Sequence, residues 1–188
     1  MPLTTRNERQ LLHTRTVTCR AWSRHDGLWD IEGHMTDIKT TDVANQDRGG
    51  VIQAGEPIHE MWLRITIDLD MTIHDAEAST DYAPFNLCQN ITSAYKKLIG
   101  LKIGPGWNKK VKTLLGQSKG CTHHTELLGP MATTAFQALY QKLKAREEKN
   151  DSPPRIMNTC HALASHSPVA KRLWPDHADK EDKSSQAS

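Results

Sequence analysis

The sequence predicts an α+β domain in which an antiparallel sheet of about four strands is covered on one face by helices. Three observations predict it. Apolar and polar residues alternate up to about residue 79, the apolar period lengthens to that of helices after Pro84, and Asp26-Gly27 joins the first two strand-like runs. Strands gathered first and helices afterwards define the α+β arrangement.

Residues 16–22 and 28–36 form the first expected hairpin. In its second run Trp29, Ile31, Gly33 and Met35 share one face, leaving Asp30, Glu32 and His34 on the other. Residues 39–55 are polar, contain Asp47-Arg48-Gly49-Gly50 and lack helical periodicity, so they read as a long loop. A second hairpin follows: Met61, Leu63, Ile65 and Ile67 alternate with Trp62, Arg64 and Thr66, and a turn near Leu69-Asp70 leads back through Met71 and Ile73 to Ser79.

Beyond Pro84, Leu87, Ile91, Ala94, Tyr95 and Leu98 fit one helical face, and Gly100 is placed to stop that helix. Trp107, Val111, Leu114 and Leu115 mark a short helix ended by Gly116. Leu127, Leu128, Met131, Ala135, Ala138, Leu139 and Leu143 give the longest helical pattern. Pro130 is expected to kink that helix or to set its first turn.

With 188 residues, 24 Lys plus Arg against 22 Asp plus Glu, and 37% apolar residues, the chain has material for one core. The expected division is a flexible amino terminus at 1–11, one α+β domain at 12–149, a packed extension at 150–174 with one more short element, and a disordered tail at 175–188. A net charge of +2 is too small for a nucleic-acid or membrane-surface footprint. No apolar run approaches the roughly 20 residues a bilayer requires. The polar amino terminus lacks the apolar core of a secretory signal, so a cytoplasmic location and four reduced cysteines are expected.

Free thiols pack, react or hold a metal. The densest group of chemical side chains is Gly120-Cys121-Thr122-His123-His124-Thr125-Glu126, at the start of the longest helix, where the amino end favours a thiolate. Cys-x-His alone does not complete a metal site, so further ligands must come from elsewhere. Cys88, near the first helix start, and His59, at a strand start, are the candidates. The bland reading gives His123 and His124 capping or surface roles and buries Cys121.

A nucleophilic reading of the same residues makes Cys121 the thiolate, His123 or His124 the base, and Glu126 or Asp37 the orienting group. Cys160 reads as core, because its neighbour His161 points elsewhere. Cys19 reads as a packed strand residue. Glu32 and His34 share a polar strand face, which is solvated in the simplest case and supplies an acid and a base if helices cover it.

Gly27-Leu28-Trp29-Asp30-Ile31-Glu32-Gly33-His34, Arg48-Gly49-Gly50-Val51-Ile52, His59-Glu60-Met61-Trp62-Leu63 and Gly120-Cys121-Thr122-His123 resemble a bacterial family of uncharacterised proteins, a domain of unknown function, across most of residues 12–174. That resemblance implies no activity. More distantly, residues 60–143 resemble iron-sulfur scaffold proteins of the IscU and NifU type. The likeness implies an antiparallel sheet followed by helices, with metal ligands at a strand start, a first helix start and the start of the long last helix. His59, Cys88 and Cys121 fall near those places, and His123 adds a nitrogen. Two cysteines with histidines, and no Gly-Cys-Gly turn around Ala83-Pro84-Phe85, depart from the three-cysteine scaffold pattern and favour a single ion over a cluster.

The function expected is a small enzyme with a mononuclear zinc or iron site, acting as a lyase or hydrolase on a small organic acid, ester or thioester. His59, Cys88, Cys121 and His123 are the expected metal ligands, and Glu32, His34 and Glu126 the expected acids and bases. The alternatives are an iron-sulfur or zinc carrier without turnover, and a metal-free lyase or thioesterase using the same polar residues. The expected partner is a small-molecule substrate, with no nucleic acid and no membrane, and a homodimer is compatible with the chain.

Overall fold

The computed structural model describes residues 8–149 and 154–179. Most of the expected flexible amino terminus, linker and tail lies outside the described residues. Two units are distinguished, Met1–Ala138 and Leu139–Ser188.

In the first unit, β1 (His13–Ser23) and β2 (Trp29–Lys39) form the Asp-Gly hairpin, with Gly27 at φ 84° in the left-handed region that its turn requires. Both strands extend beyond their expected ends. Residues 39–55 are not a plain loop: β3 (Val43–Asn45) and β4 (Gly50–Ile52) make a small hairpin around a 3-10 turn, Gln46–Arg48. Asn45 caps that turn by accepting the Arg48 N–H, and Ile52 is buried. Strands of three residues are too short to show a period.

β5 (Pro57–Ile67) and β6 (Ile73–Tyr82) form the second expected hairpin. The four long strands pair antiparallel in the order β1-β2-β5-β6. The inward face carries Ile31, Met35, Met61, Leu63, Ile65 and Ala76, all 1% exposed or less. Burying such a face is what makes the register specific, because a one-residue slip would turn every apolar group outward.

Asn86–Leu98 is a 3-10 stretch instead of an α-helix. Tyr95 and Leu98 are buried as expected, whereas Leu87 is exposed. Gly100 follows in the left-handed region at φ 83°, and residues 100–103 hydrogen-bond Ile73, the first residue of β6, and Met71 just ahead of it. α1 (Trp107–Leu115) buries Trp107, Val111 and Leu115, and ends where a Cβ at Gly116 would meet the Lys112 carbonyl oxygen at 2.3 Å.

α2 (Thr122–Lys149) starts ahead of Pro130, so Pro130 does not set its first turn. The ring leaves the Glu126 carbonyl without its intrahelical donor, while Thr134 Oγ1 donates to the Pro130 carbonyl at 2.9 Å. The first half of α2 covers the inward sheet face. Leu127, Leu128, Met131 and Ala135 are buried, and a Cβ on Gly33 would stand 2.7 Å from Met131 Sδ. The absent side chain at Gly33 is what lets helix and sheet approach.

The second unit holds the last turns of α2, a 3-10 turn at His161–Leu163 and α3 (Pro168–Leu173). Ser167 caps α3 by accepting the Ala170 N–H at 3.0 Å, with Pro168 in the first turn. In α2, Leu139 and Leu143 are buried, and Ala138, expected with them, is exposed. Cys160 is exposed and not part of a core.

Candidate functional site

The period of two that buries Ile31, Gly33 and Met35 also turns Asp37 inward, where it is 1% exposed. Strand register then selects its neighbours. Asp37 stands opposite Arg15 of β1 and His59 of β5, and the β2–β5 pairing shifts just past that point, between Asp37 and Ile38. The first turns of α2 bring His123 and Glu126 to the same end of the sheet.

Asp37 Oδ1 accepts from Arg15 Nε at 2.8 Å and lies 2.9 Å from His13 Nε2. Its Oδ2 accepts from Arg15 Nη2 at 2.8 Å and lies 3.1 Å from His59 Nδ1. Both carboxylate oxygens thus take a hydrogen bond from the Arg15 guanidinium and have a histidine nitrogen beside them. His123 Nε2 is 3.8 Å from Oδ2, and the His59 and His123 rings face each other with centroids 3.8 Å apart. One donor atom from each of Asp37, His59 and His123 lies within 4.8 Å of the others. On its far side His123 presents Nδ1 to Cys121 Sγ at 3.9 Å, and the same sulfur is 3.9 Å from Met61 Sδ. At the rim, Arg15 Nη1 donates to Glu126 at 2.5 Å.

Burial pushes the Asp37 carboxyl up, but the Arg15 and His13 hydrogen bonds and the Arg15 charge outweigh it and hold the pKa at about 2. Burial lowers the pKa of His59, aided by the charge of His123 and opposed by Asp37. His123 is lowered by burial and by Arg15, against Asp37 and Glu126. The cluster therefore sets an ionised carboxylate beside two imidazoles biased toward neutrality. Neutral imidazole and carboxylate are the protonation states that bind a divalent cation, and also those that accept a proton.

His59 and His123, both expected as ligands, are brought together. Cys121 adjoins them through His123, and Tyr95 fixes the Cys121 backbone, its hydroxyl donating to the Cys121 carbonyl at 2.7 Å. Cys88 is half-buried, and burial pushes its thiol up, against the Phe85 backbone hydrogen bond. Glu126 joins the cluster through its hydrogen bond to Arg15 and is half exposed. Glu32 and His34 are not there. Alternation puts them on the opposite sheet face, where His34 stacks on Trp62 at 3.7 Å and meets Glu60 at 3.0 Å, and Glu32 accepts from Trp22 Nε1. His124 is neither a cap nor a surface group: it is fully buried, with Nε2 2.9 Å from the Ser79 carbonyl.

Three residues escaped sequence reasoning in these roles. Asp37 is expected only as an orienting group, although a charged residue at an inward-facing strand position is itself a signal. His13 and Arg15 precede the expected start of the first strand. Extending its alternation backward from Cys19 through Val17 reaches Arg15 and brings it to the inward face.

No curated protein and no solved structure matches the chain. A family model matches residues 13–137, a stretch that holds every side chain of the cluster from His13 to Glu126. The chain belongs to that family, described as protein of unknown function DUF2889.

Proposed function

We propose that the chain is a small enzyme whose Asp37, His59 and His123 hold one zinc or iron ion, and that it carries out lyase or hydrolase chemistry on a small organic acid, ester or thioester. The observation that carries this reading is the convergence of three donor atoms within 4.8 Å from three separate elements, β2, β5 and α2. Two imidazoles and one carboxylate suit zinc or ferrous iron and leave coordination positions for water or substrate. A metal held this way supplies Lewis acidity toward a carbonyl oxygen or a bound water.

The surrounding residues fit that assignment. Arg15 and His13 orient Asp37, and the Cys121 sulfur orients His123 through its outer nitrogen, the pattern of partners that ligating groups need. Cys121 thus moves from expected ligand to positioning residue, and Glu32 and His34 leave the reading. Elemental analysis of the untagged protein tests it. Near one zinc or iron per chain, lost in both His59→Asn and His123→Asn and retained in His34→Asn, is the expected result. Equal metal in all four proteins, or none after reconstitution, overturns it.

One contact favours a second reading. Cys121 Sγ, His123 and Asp37 lie in the order of a nucleophile, base and orienting acid, with 3.9 Å and 3.8 Å between successive atoms. A metal-free thioesterase of this kind would keep full turnover after exhaustive chelation and lose it in Cys121→Ser. The carrier alternative and its IscU-like arrangement would need Cys88 and Cys121 to share the ion, and predict a transferable metal or a sulfide-containing chromophore.

A further inference from the structure

We propose that the groove between α1 and the start of α2 binds the apolar body of an amphipathic carboxylate, whose carboxylate group is taken by Arg15 at the mouth of the cluster. The inference rests on the proposed enzyme reading for the fate of the bound molecule, and on Arg15, Glu126 and the groove for the binding itself.

The groove has a volume of about 390 Å³ and is walled by Trp107, Val111, Leu115 and Leu128, with Gly129 and Glu126 on its α2 side. Glu126 is common to the groove and to the cluster, because it accepts from Arg15 Nη1. It is therefore the joint between an apolar channel and a guanidinium. Trp107 adds a second polar feature. Its ring lines the groove and is 6% exposed, and its Nε1 hydrogen has no acceptor among the described residues. Buried indole N–H groups are normally paired, and this one is shielded from solvent, so its signal reports on the packing of the groove wall.

Arg15 has the capacity to hold an anion. A guanidinium has five N–H donors. Arg15 commits Nε and one hydrogen of Nη2 to Asp37, and one hydrogen of Nη1 to Glu126, so two are left. The pair with Asp37 is sheltered, the carboxylate being 2% exposed, whereas the Glu126 carboxylate is 52% exposed. An exposed ion pair contributes little, so an incoming carboxylate displaces Glu126 and leaves the Arg15–Asp37 pair in place. The chain of such a ligand then lies along Leu128 and Val111, out of water. Shape and charge together select a carboxylate with an apolar tail over a short polar acid.

Octanoate is the probe, with acetate and octanol as controls, each titrated into the full-length protein by calorimetry while the Trp107 indole N–H is followed by NMR, assigned with Trp107→Phe. Octanoate is expected to bind at least tenfold more tightly than either control and to shift the indole signal. Gly129→Leu tests the groove, since Gly129 lines it and a Cβ there meets nothing within 4 Å. It should lower octanoate affinity to that of acetate. Glu126→Gln, which removes the competing carboxylate, should tighten octanoate several-fold. Equal binding of octanoate and octanol, unchanged octanoate affinity in Gly129→Leu, or an unmoved indole signal overturns the proposal. Metal content is measured on the same samples, so a loaded protein that ignores octanoate refutes only the groove, and a metal-free protein that binds it refutes only the metal.

Discussion

A carboxylate buried at the end of a strand needs donors on every side, and Asp37 has Arg15, His13 and His59 around it. The sign of its linkage follows from the direction of the shift. Asp37 titrates at about 2 in the folded protein and near 3.8 when unfolded, so its stabilisation is fully present above pH 4 and fades as pH falls through 4 toward 2. A shift of that size corresponds to about 2–3 kcal/mol. Asp37→Asn should therefore be less stable by about that amount between pH 5 and 7, and should lose the acid-side slope between pH 4 and 2. Urea unfolding of both proteins across pH 2–7 measures this, and superimposable curves would remove Asp37 from its central place. His59 and His123 have lowered values too, so their contribution is present above about pH 6.5 and declines as pH falls below it.

Placement of those side chains is the work of elements. α2 approaches the sheet over Gly33, where an added methyl would meet Met131 Sδ at 2.7 Å, Met131 Cγ at 3.0 Å and Leu127 Cβ at 3.4 Å. Gly33→Ala should cost about 1–3 kcal/mol as Met131 is forced aside. It should also lower metal affinity, because His123 and Glu126 belong to the same helix. Thermal unfolding with and without zinc reads both effects, and an unchanged midpoint would mean that the contact is loose. The long strands were legible in the sequence because Ile31, Gly33 and Met35, or Met61, Leu63 and Ile65, repeat at a period of two. The β3–β4 hairpin was not, since three residues hold no period. His59 and His123 were legible as candidates from their element starts, and the fold brings their rings together. Asp37 was undervalued, and Arg15 and His13 were missed, because their importance arises from strand register, which pairs residues more than twenty positions apart. Glu32 and His34 stand apart from the cluster for the complementary reason: two residues on one strand face share surroundings, and theirs is the face that α2 does not cover.

At the scale of the molecule, the matched family region, residues 13–137, lies inside the first unit, Met1–Ala138, and contains the whole cluster. The sheet, the first half of α2 and the donor set all belong to that unit, and a ligand that binds only the native site stabilises the fold by mass action. No described helix is long and apolar enough to cross a membrane. The central claim, that one ion is held by side chains from β2, β5 and α2, is tested most directly by anomalous scattering from a crystal of the untagged protein loaded with zinc or iron. The account predicts a single strong peak in contact with Asp37, His59 and His123, with Cys121 behind His123. A fully loaded crystal with no peak there, or with its ion on Cys88 and Cys121 apart from the imidazoles, would contradict it.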